Sequence, residues 1–353
     1  MLSAVDCLLI TYYEFSMRLL VTGGAGFIGS HFIRSWLVNY PTDEVVNLDL
    51  LTYAGSRERL VDIEGSFHYR FVQGDIREPK ALGAALEGVQ VVVHFAAETH
   101  VDRSITNAAP FLRTNVEGTF MLLQAAHASG VKRFVHVSTD EVYGPVPVGA
   151  VDEDAPLAPR SPYAASKAAG DLLVQAFHET YQLPTVVVRP TNIFGPAQLP
   201  EKFIPLIITN ALEQLPVPVY GDGQQRRGWL FIEDLCDALR VLVEQGEVGQ
   251  VYNVGSGHEQ ANLETVQQLL TLMGASPDLI HFVADRPAHD RRYAMRDERV
   301  RALGWRPQTS FEDGLNRTIA WYREHAEWWQ PLARKLREDP YHWLNRPARS
   351  GAQ

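Results

Sequence analysis

The stretch Val21-Thr22-Gly23-Gly24-Ala25-Gly26-Phe27-Ile28-Gly29 governs how the rest of the chain is read. The run Arg18-Leu19-Leu20-Val21 leads into it as a short buried strand, and a segment of helical period follows. Gly23, Gly26 and Gly29 are spaced G-x-x-G-x-x-G, a variant of the dinucleotide fingerprint. The glycines serve a tight turn, close approach of a pyrophosphate to the backbone, and packing of helix on strand, while the helix start at Phe27 and Ile28 supplies N–H donors. A glycine-rich turn can also be a plain connector, so the context matters. Asp49 stands 20 residues after Gly29 at the end of the next strand, placed to accept both ribose hydroxyls and to repel a 2′-phosphate. No Arg adjoins it, which favours NAD over NADP. Asp75, after the third strand, suits either the adenine amino group or a helix N-cap.

Outward from this turn, apolar runs alternate with helical segments, the signature of βαβ units and a parallel sheet. The runs are Val45-Val46-Asn47-Leu48, Tyr69-Arg70-Phe71-Val72, Val91-Val92-Val93-His94, Phe134-Val135-His136-Val137 and Thr185-Val186-Val187-Val188, with Val251-Tyr252-Asn253-Val254 returning to the same sheet. Each is continuous enough to be buried on both faces. The longest helices are expected over residues 107–128 and 161–181. The fold class is α/β: a Rossmann-like, doubly wound parallel sheet over residues 17–195 and about 228–256. Residues 196–227 and 257–345, richer in Pro, Arg and Trp, form a smaller substrate-binding lobe over the sheet's carboxyl edge. Residues 1–16 read as an extension, with the folded domain starting at Met17.

The chain has 353 residues, 46% hydrophobic and 21% charged, without low-complexity tracts, which fits one enzyme-sized globular unit and excludes disorder and fibrous folds. A formal charge of −10 repels nucleic acid and anionic membranes, so any anionic ligand must be held by a few local cations. Cys7 and Cys236 are too few for a disulfide framework and fit the reducing cytoplasm. Cys7-Leu8-Leu9-Ile10 is too short to span a membrane and lacks the basic flank of a signal peptide.

In Ser161-Pro162-Tyr163-Ala164-Ala165-Ser166-Lys167, Pro162 suits a first helical turn that sets Tyr163 and Lys167 on one face. A phenol of ordinary pKa about 10 is a poor base near neutrality unless a cation stabilises its phenolate. Lys167 and a positively charged nicotinamide supply that. Asp140 and Glu141 stand side by side where the strand Phe134-Val135-His136-Val137 ends in Ser138-Thr139. Such pairs are commonly solvated turns; in a dry pocket, mutual repulsion drives them to different protonation states, one an acid and one a base.

The glycine turn together with Tyr163 and Lys167 resembles the extended short-chain dehydrogenase/reductase family, whose members bind NAD and act on nucleotide sugars. Longer strings narrow the resemblance to its dTDP-hexose 4,6-dehydratase branch: Leu51-Thr52-Tyr53-Ala54-Gly55, residues 94–104, Ser138-Thr139-Asp140-Glu141-Val142-Tyr143-Gly144, Pro200-Glu201-Lys202 and residues 284–293. The resemblance runs from Met17 to about Tyr322. It implies a homodimer, NAD and no metal, and a lyase that oxidises dTDP-glucose at C4, eliminates water across C5 and C6, and returns hydride to C6. By the family's pattern Tyr163 is the base at the 4-hydroxyl, Thr139 bonds the 4-oxygen, Asp140 is the acid toward C6 and Glu141 the base at C5. Thr52, Ile76, Ala96, Ala97 and Thr114 join the cofactor contacts. Thr99, Asn192, Glu201, Lys202, Tyr220, Arg227, Asn262, Arg286, His289 and Tyr293 fall where the family holds nucleotide and sugar, with Arg227 and Arg286 on the diphosphate.

The chain also departs from that pattern. Leu50 replaces a lysine common after the ribose-binding Asp, residues 189–196 lack the doubled Asn and the Tyr, Gly228 stands where an Asp precedes Trp229, and Leu235 where a His is frequent. His100 and Asp102-Arg103 suit either a site wall or structural pairing; Arg291, Arg292 and Arg296 suit a solvated or salt-bridged face. Trp328, Trp329 and Trp343 are expected to pack the last helix. A sugar-nucleotide 4-epimerase, a decarboxylase or a dehydratase of a UDP-sugar is the nearest rival, and the epimerases and decarboxylases carry small or hydroxylated residues in place of the acid pair. A non-catalytic NAD-binding protein would lack Tyr163 or Lys167.

Overall fold

The computed structural model describes residues 16–338; most of the expected extension 1–16, and Trp343, lie outside the described residues. Seven strands build the main sheet: β1 (Arg18–Thr22), β2 (Glu44–Asp49), β3 (Tyr69–Gln73), β4 (Val91–His94), β5 (Arg133–Val137), β6 (Thr185–Pro190) and, later in the chain, β10 (Val251–Val254). Between them in sequence come β7 (Asn192–Phe194), β8 (Val217–Tyr220) and β9 (Arg226–Phe231); after them come β11 (Glu259–Ala261) and β12 (Ile280–Val283). The main sheet runs β10-β6-β5-β4-β1-β2-β3, every pair parallel. All six side chains of β6 and all four of β4 are buried. Helices on both faces leave no polar side for these strands, hence their unbroken Val runs. The strand order reverses between β1 and β4, and the crevice beyond their carboxyl ends is where such sheets bind ligands.

The helix expected over 161–181 is Pro162–Tyr181, with Ser161 as N-cap accepting from the Ala164 amide at 3.1 Å. The one expected over 107–128 is instead interrupted: a turn at Ala109–Phe111, a π-helical stretch at Leu112–Gly118, then the α-helix Thr119–Ser129. The widened turn carries Asn115, whose side chain is drawn inward to bond the Glu98 backbone and Ser166. π-Turns of this kind often mark functional positions.

The second lobe has its own small sheets, β11-β9-β7 and β12-β8. A lobe boundary at residue 228 therefore falls inside β9, which pairs with β7 and β11 and not with the main sheet. Short paired strands of three to six residues give little periodic signal, and which sheet they join is a tertiary choice. The last helices close over the lobe through Trp329, 2% exposed, whose indole donates to the Tyr322 carbonyl at 2.7 Å. Among the described residues no helix is long and apolar enough to cross a membrane.

Candidate active site

The glycine turn after β1 is pressed against the chain leaving β4. Gly23 takes φ +71°, and a Cβ there would lie 2.6 Å from the Ala96 nitrogen; a Cβ on Gly29 would lie 2.5 Å from the Gly23 carbonyl. Both positions exclude any larger residue, and the space so kept is backbone-lined. Asp49, at the end of β2, accepts from the Ala25 amide at 2.9 Å and the Leu51 amide at 2.8 Å, which holds its carboxylate at the rim while burial pushes its pKa up. Gly23, Gly26, Phe27, Ile28, Gly29, Asp49, Thr52, Asp75, Ile76, Ala96, Ala97 and Thr114 all line one cavity. The helix-cap alternative for Asp75 gives way to a different role. Its carboxylate accepts from the Arg77 amide at 2.8 Å within a turn, the Arg77 side chain bonds it and holds its pKa down, and the next helix, Pro79–Ala85, has Glu78 as its N-cap.

The same cavity continues to Thr139, Asp140, Glu141, Tyr163 and Lys167. Thr139 caps a single 3-10 turn, Asp140–Tyr143, accepting from the Glu141 amide at 3.3 Å and donating to Asp140 Oδ1 at 3.3 Å. Lys167 Nζ donates to the Val137 carbonyl at 2.8 Å, tying helix Pro162–Tyr181 to the strand that carries the acid pair. The Tyr163 amide donates to Ser104 Oγ at 3.2 Å. Burial, then the negative charge of Glu141, raises the Asp140 pKa to about 7. Burial also raises Glu141, but Arg286, Arg227 and Lys202 oppose it there. The two carboxyls are thus unequal: Asp140 faces Glu141 and a single cation, Arg227, whereas Glu141 faces three cations against the one further carboxylate of Asp290. Burial lowers Lys167 to about 8, and burial with Glu141 and Asp140 pushes the Tyr163 phenol up.

Of the expected substrate contacts, Thr99, Asn192, Glu201 and Lys202 line this cavity. Lys202 Nζ donates to the Thr99 carbonyl and hydroxyl at 3.1 and 3.2 Å, and Glu201 pairs with Arg103 at 3.0 Å. Tyr220, Arg227, Asn262, Arg286, His289 and Tyr293 do not reach the cavity wall and stand in the adjoining lobe. Arg227 lies over the Tyr293 ring at 4.5 Å and donates to the Asp290 carbonyl. His289 pairs with Asp285 at 2.6 Å, edge-on to Tyr220. Arg286 lies 3.7 Å from Asp102, which is also 3.8 Å from His100, while His100 and Arg103 both bond Glu201. The residues 100–103 thus take the pairing role. Arg291 and Arg292 are salt-bridged, to Asp222 and Glu259.

Several cavity-lining polar atoms are buried with no bond inside the protein: Glu141 Oε2, Asn192 Oδ1, Gln198 Oε1 and the Trp229 indole nitrogen. Orphans of this kind cost about 1–3 kcal/mol each, so a polar ligand that pairs them gains that amount. With the backbone-lined glycine turn, they fit a dinucleotide at one end and a hydroxylated ligand at the other. Ser138 enters the sequence reading as the strand end before the acid pair, without a role of its own, and Trp229 and Asn115 carry no functional expectation there. Asn115 announces itself only as an amide in an apolar helix, and a Trp on a buried strand reads as core.

The chain matches the family model described as GDP-mannose 4,6 dehydratase over residues 20–318. A dTDP-glucose 4,6-dehydratase of Streptomyces niveus is 50% identical over 321 residues, 90% of this chain and 96% of the relative. The crystal structure of DesIV, a dTDP-glucose 4,6-dehydratase of Streptomyces venezuelae with NAD bound, superposes with a TM-score of 0.88 at 51% identity, covering 90% of this chain and all of that one. A Thermus thermophilus UDP-glucose 4-epimerase in complex with NAD shares the fold at 31% identity, with a TM-score of 0.81 over 88% of this chain and 100% of the epimerase. The chain belongs to the GDP-mannose 4,6 dehydratase family of nucleotide-sugar enzymes, within its group of dTDP-glucose 4,6-dehydratases.

Proposed function

We propose that this protein is a hydro-lyase that converts dTDP-glucose to dTDP-4-keto-6-deoxyglucose with NAD. The observation that carries the reading is the acid pair: Asp140, buried, and Glu141, half-buried, line the same cavity as the buried Tyr163 and Lys167. Half-identical relatives bear that name. A sugar oxidoreductase needs one base and its cation; elimination of water needs a further base and a further acid.

The residues divide the work by environment. Gly23, Gly26 and Gly29 admit a pyrophosphate to the backbone, and Asp49 takes the ribose hydroxyls. Bound NAD supplies the hydride acceptor at C4, the hydride returned to C6, and a positive ring charge beside Tyr163. Tyr163, its pKa raised by burial and by Glu141 and lowered by its bond to Thr139, needs the positive charge of the bound cofactor and of Lys167 one helical turn away to remove the 4-hydroxyl proton, and Thr139 bonds the oxygen. Glu141, whose ionised form Arg286, Arg227 and Lys202 favour against burial, removes the C5 proton, which a 4-ketone makes acidic. Asp140, protonated below about pH 7, donates to the departing C6 hydroxyl. Asn192, Glu201, Lys202 and Thr99 face the sugar, and Arg227 and Arg286 answer the diphosphate from the adjoining lobe. The reading extends to a cytoplasmic homodimer. Its support is Leu112 and Leu172, each 56% exposed on the helical layer over residues 107–128 and 161–181, and the free, buried Cys236.

The test is incubation with dTDP-glucose and with UDP-glucose, followed by alkali. A 4-keto-6-deoxy chromophore from dTDP-glucose is expected. A C4 epimer without ketone would defeat the dehydratase reading, and a preference for UDP-glucose would defeat its nucleotide.

A further inference from the structure

Arg59 has no role in the site as described so far. It sits in a 3-10 turn, Arg57–Leu60, and is 5% exposed. Its Nη1 donates to the Ala25 carbonyl in the glycine turn and to the Ala54 carbonyl in the loop after β2, both at 3.0 Å; its Nε donates to the Ala197 carbonyl at 3.2 Å. These three carbonyls come from three separate segments that each adjoin or line the cavity, through Gly26, through Ala54 and Gly55, and through Gln198 and Leu199. The last helices back the arrangement: the Trp328 ring lies 5.2 Å from the guanidinium carbon, and the Tyr322 hydroxyl bonds the Gln198 carbonyl.

Burying a cation without a carboxylate bonded to it costs several kcal/mol, and an apolar side chain of similar volume would fill the same space at less cost. A guanidinium alone offers five donors in a rigid plane, enough to bond three strands of backbone from one point. Ala25 is the pivot. Its amide donates to Asp49 Oδ2 at 2.9 Å while its carbonyl is held by Arg59, so the position of the ribose carboxylate depends on the brace behind it. The Arg59 charge also opposes the burial that raises the Asp49 pKa.

We propose that Arg59 is a positioning residue of the cofactor site: it braces the glycine turn, the 51–55 loop and the loop at Ala197 into one frame, aims Asp49, and slows release of the bound dinucleotide. This rests on the reading of the cavity as an NAD site. An enzyme that recycles its NAD within each turnover loses nothing by slow release.

The holoenzyme tests it, as wild type, Arg59→Met and Arg59→Lys, by the rate at which NAD is lost after dilution and gel filtration, with turnover measured before and after adding NAD back. NAD should leave Arg59→Met at least ten-fold faster, Arg59→Lys should fall between, and added NAD should restore the turnover that stripping removes. Loss of NAD from both variants at the wild-type rate would overturn the proposal, as would a turnover defect that NAD does not restore. If Arg59→Met does not fold, Arg59→Lys decides by the same two measurements. Failure of the wild type itself to bind NAD would overturn the reading of the cavity, a different result from wild-type release rates in the variants.

Discussion

Lys167 and Val137 join the two halves of the catalytic centre: the ammonium of one donates to the carbonyl of the other at 2.8 Å, two residues before Thr139. The helix that carries Tyr163 and the strand end that leads to the acid pair are therefore tied to each other through Lys167.

Removal of the phenol tests the first proton transfer. Tyr163→Phe keeps the ring that meets Phe111 edge-on at 6.3 Å, so folding should survive. Turnover should fall by roughly 10²–10⁴-fold, the usual worth of a placed general base. A loss smaller than ten-fold in single-turnover rate would show that another group takes the 4-hydroxyl proton.

Glu141→Gln separates oxidation from elimination. The amide preserves shape and cannot accept the C5 proton, so bound NAD should be partly reduced by dTDP-glucose while no 4-keto-6-deoxy product forms. Absorbance of the reduced cofactor and the alkaline chromophore read the two steps. Normal product formation would show that Glu141 is not the base.

The pH profile should carry the signature of Asp140. Its pKa is raised to about 7, so the carboxyl holds its proton below that pH and gives it up above. An acid is needed at C6, and elimination should weaken as pH rises through about 7. Lys167, lowered to about 8, loses its charge above that value and deepens the decline. Asp140→Asn should lower the elimination rate and remove the limb near 7; a limb that stays there would belong to another group. Because the folded-state pKa lies above the unfolded value of about 3.9, the same carboxyl favours the folded state more as pH falls from about 7 toward 4.

Asp234 tests an anchor remote from the chemistry. Buried at the start of the helix Ile232–Gln245, it accepts from the Gln308 and Thr309 amides at 2.9 and 3.0 Å, holding the chain that leads to the last helices. Asp234→Ala leaves both donors unpaired and should cost about 2 kcal/mol, with the favourable charge at the helix start also lost. Urea unfolding measures it, and a change under about 0.5 kcal/mol would show that the segment repacks freely.

The local parts of this protein are legible in its amino-acid order. Buried parallel strands need unbroken Val and Leu runs, a pyrophosphate turn needs glycines at Gly23, Gly26 and Gly29, and an N-capped helix needs Ser161 before Pro162; each requirement acts within a few residues. The pair Tyr163 and Lys167 is local in the same sense, one helical turn apart. What the sequence by itself left open is long-range. Whether Asp75 caps the next helix is decided by where that helix starts, with Glu78 at its N-cap and Asp75 bonded to Arg77, and the membership of β9 by pairing with Asn192–Phe194 and Glu259–Ala261. The inequality of Asp140 and Glu141 depends on where Lys202, Arg227 and Arg286 come to rest, some 60 to 145 residues further along the chain. The bracing by Arg59 reaches to Ala197, 138 residues away. Burial and the gathering of distant charges set proton affinities, and only the folded chain brings those charges together.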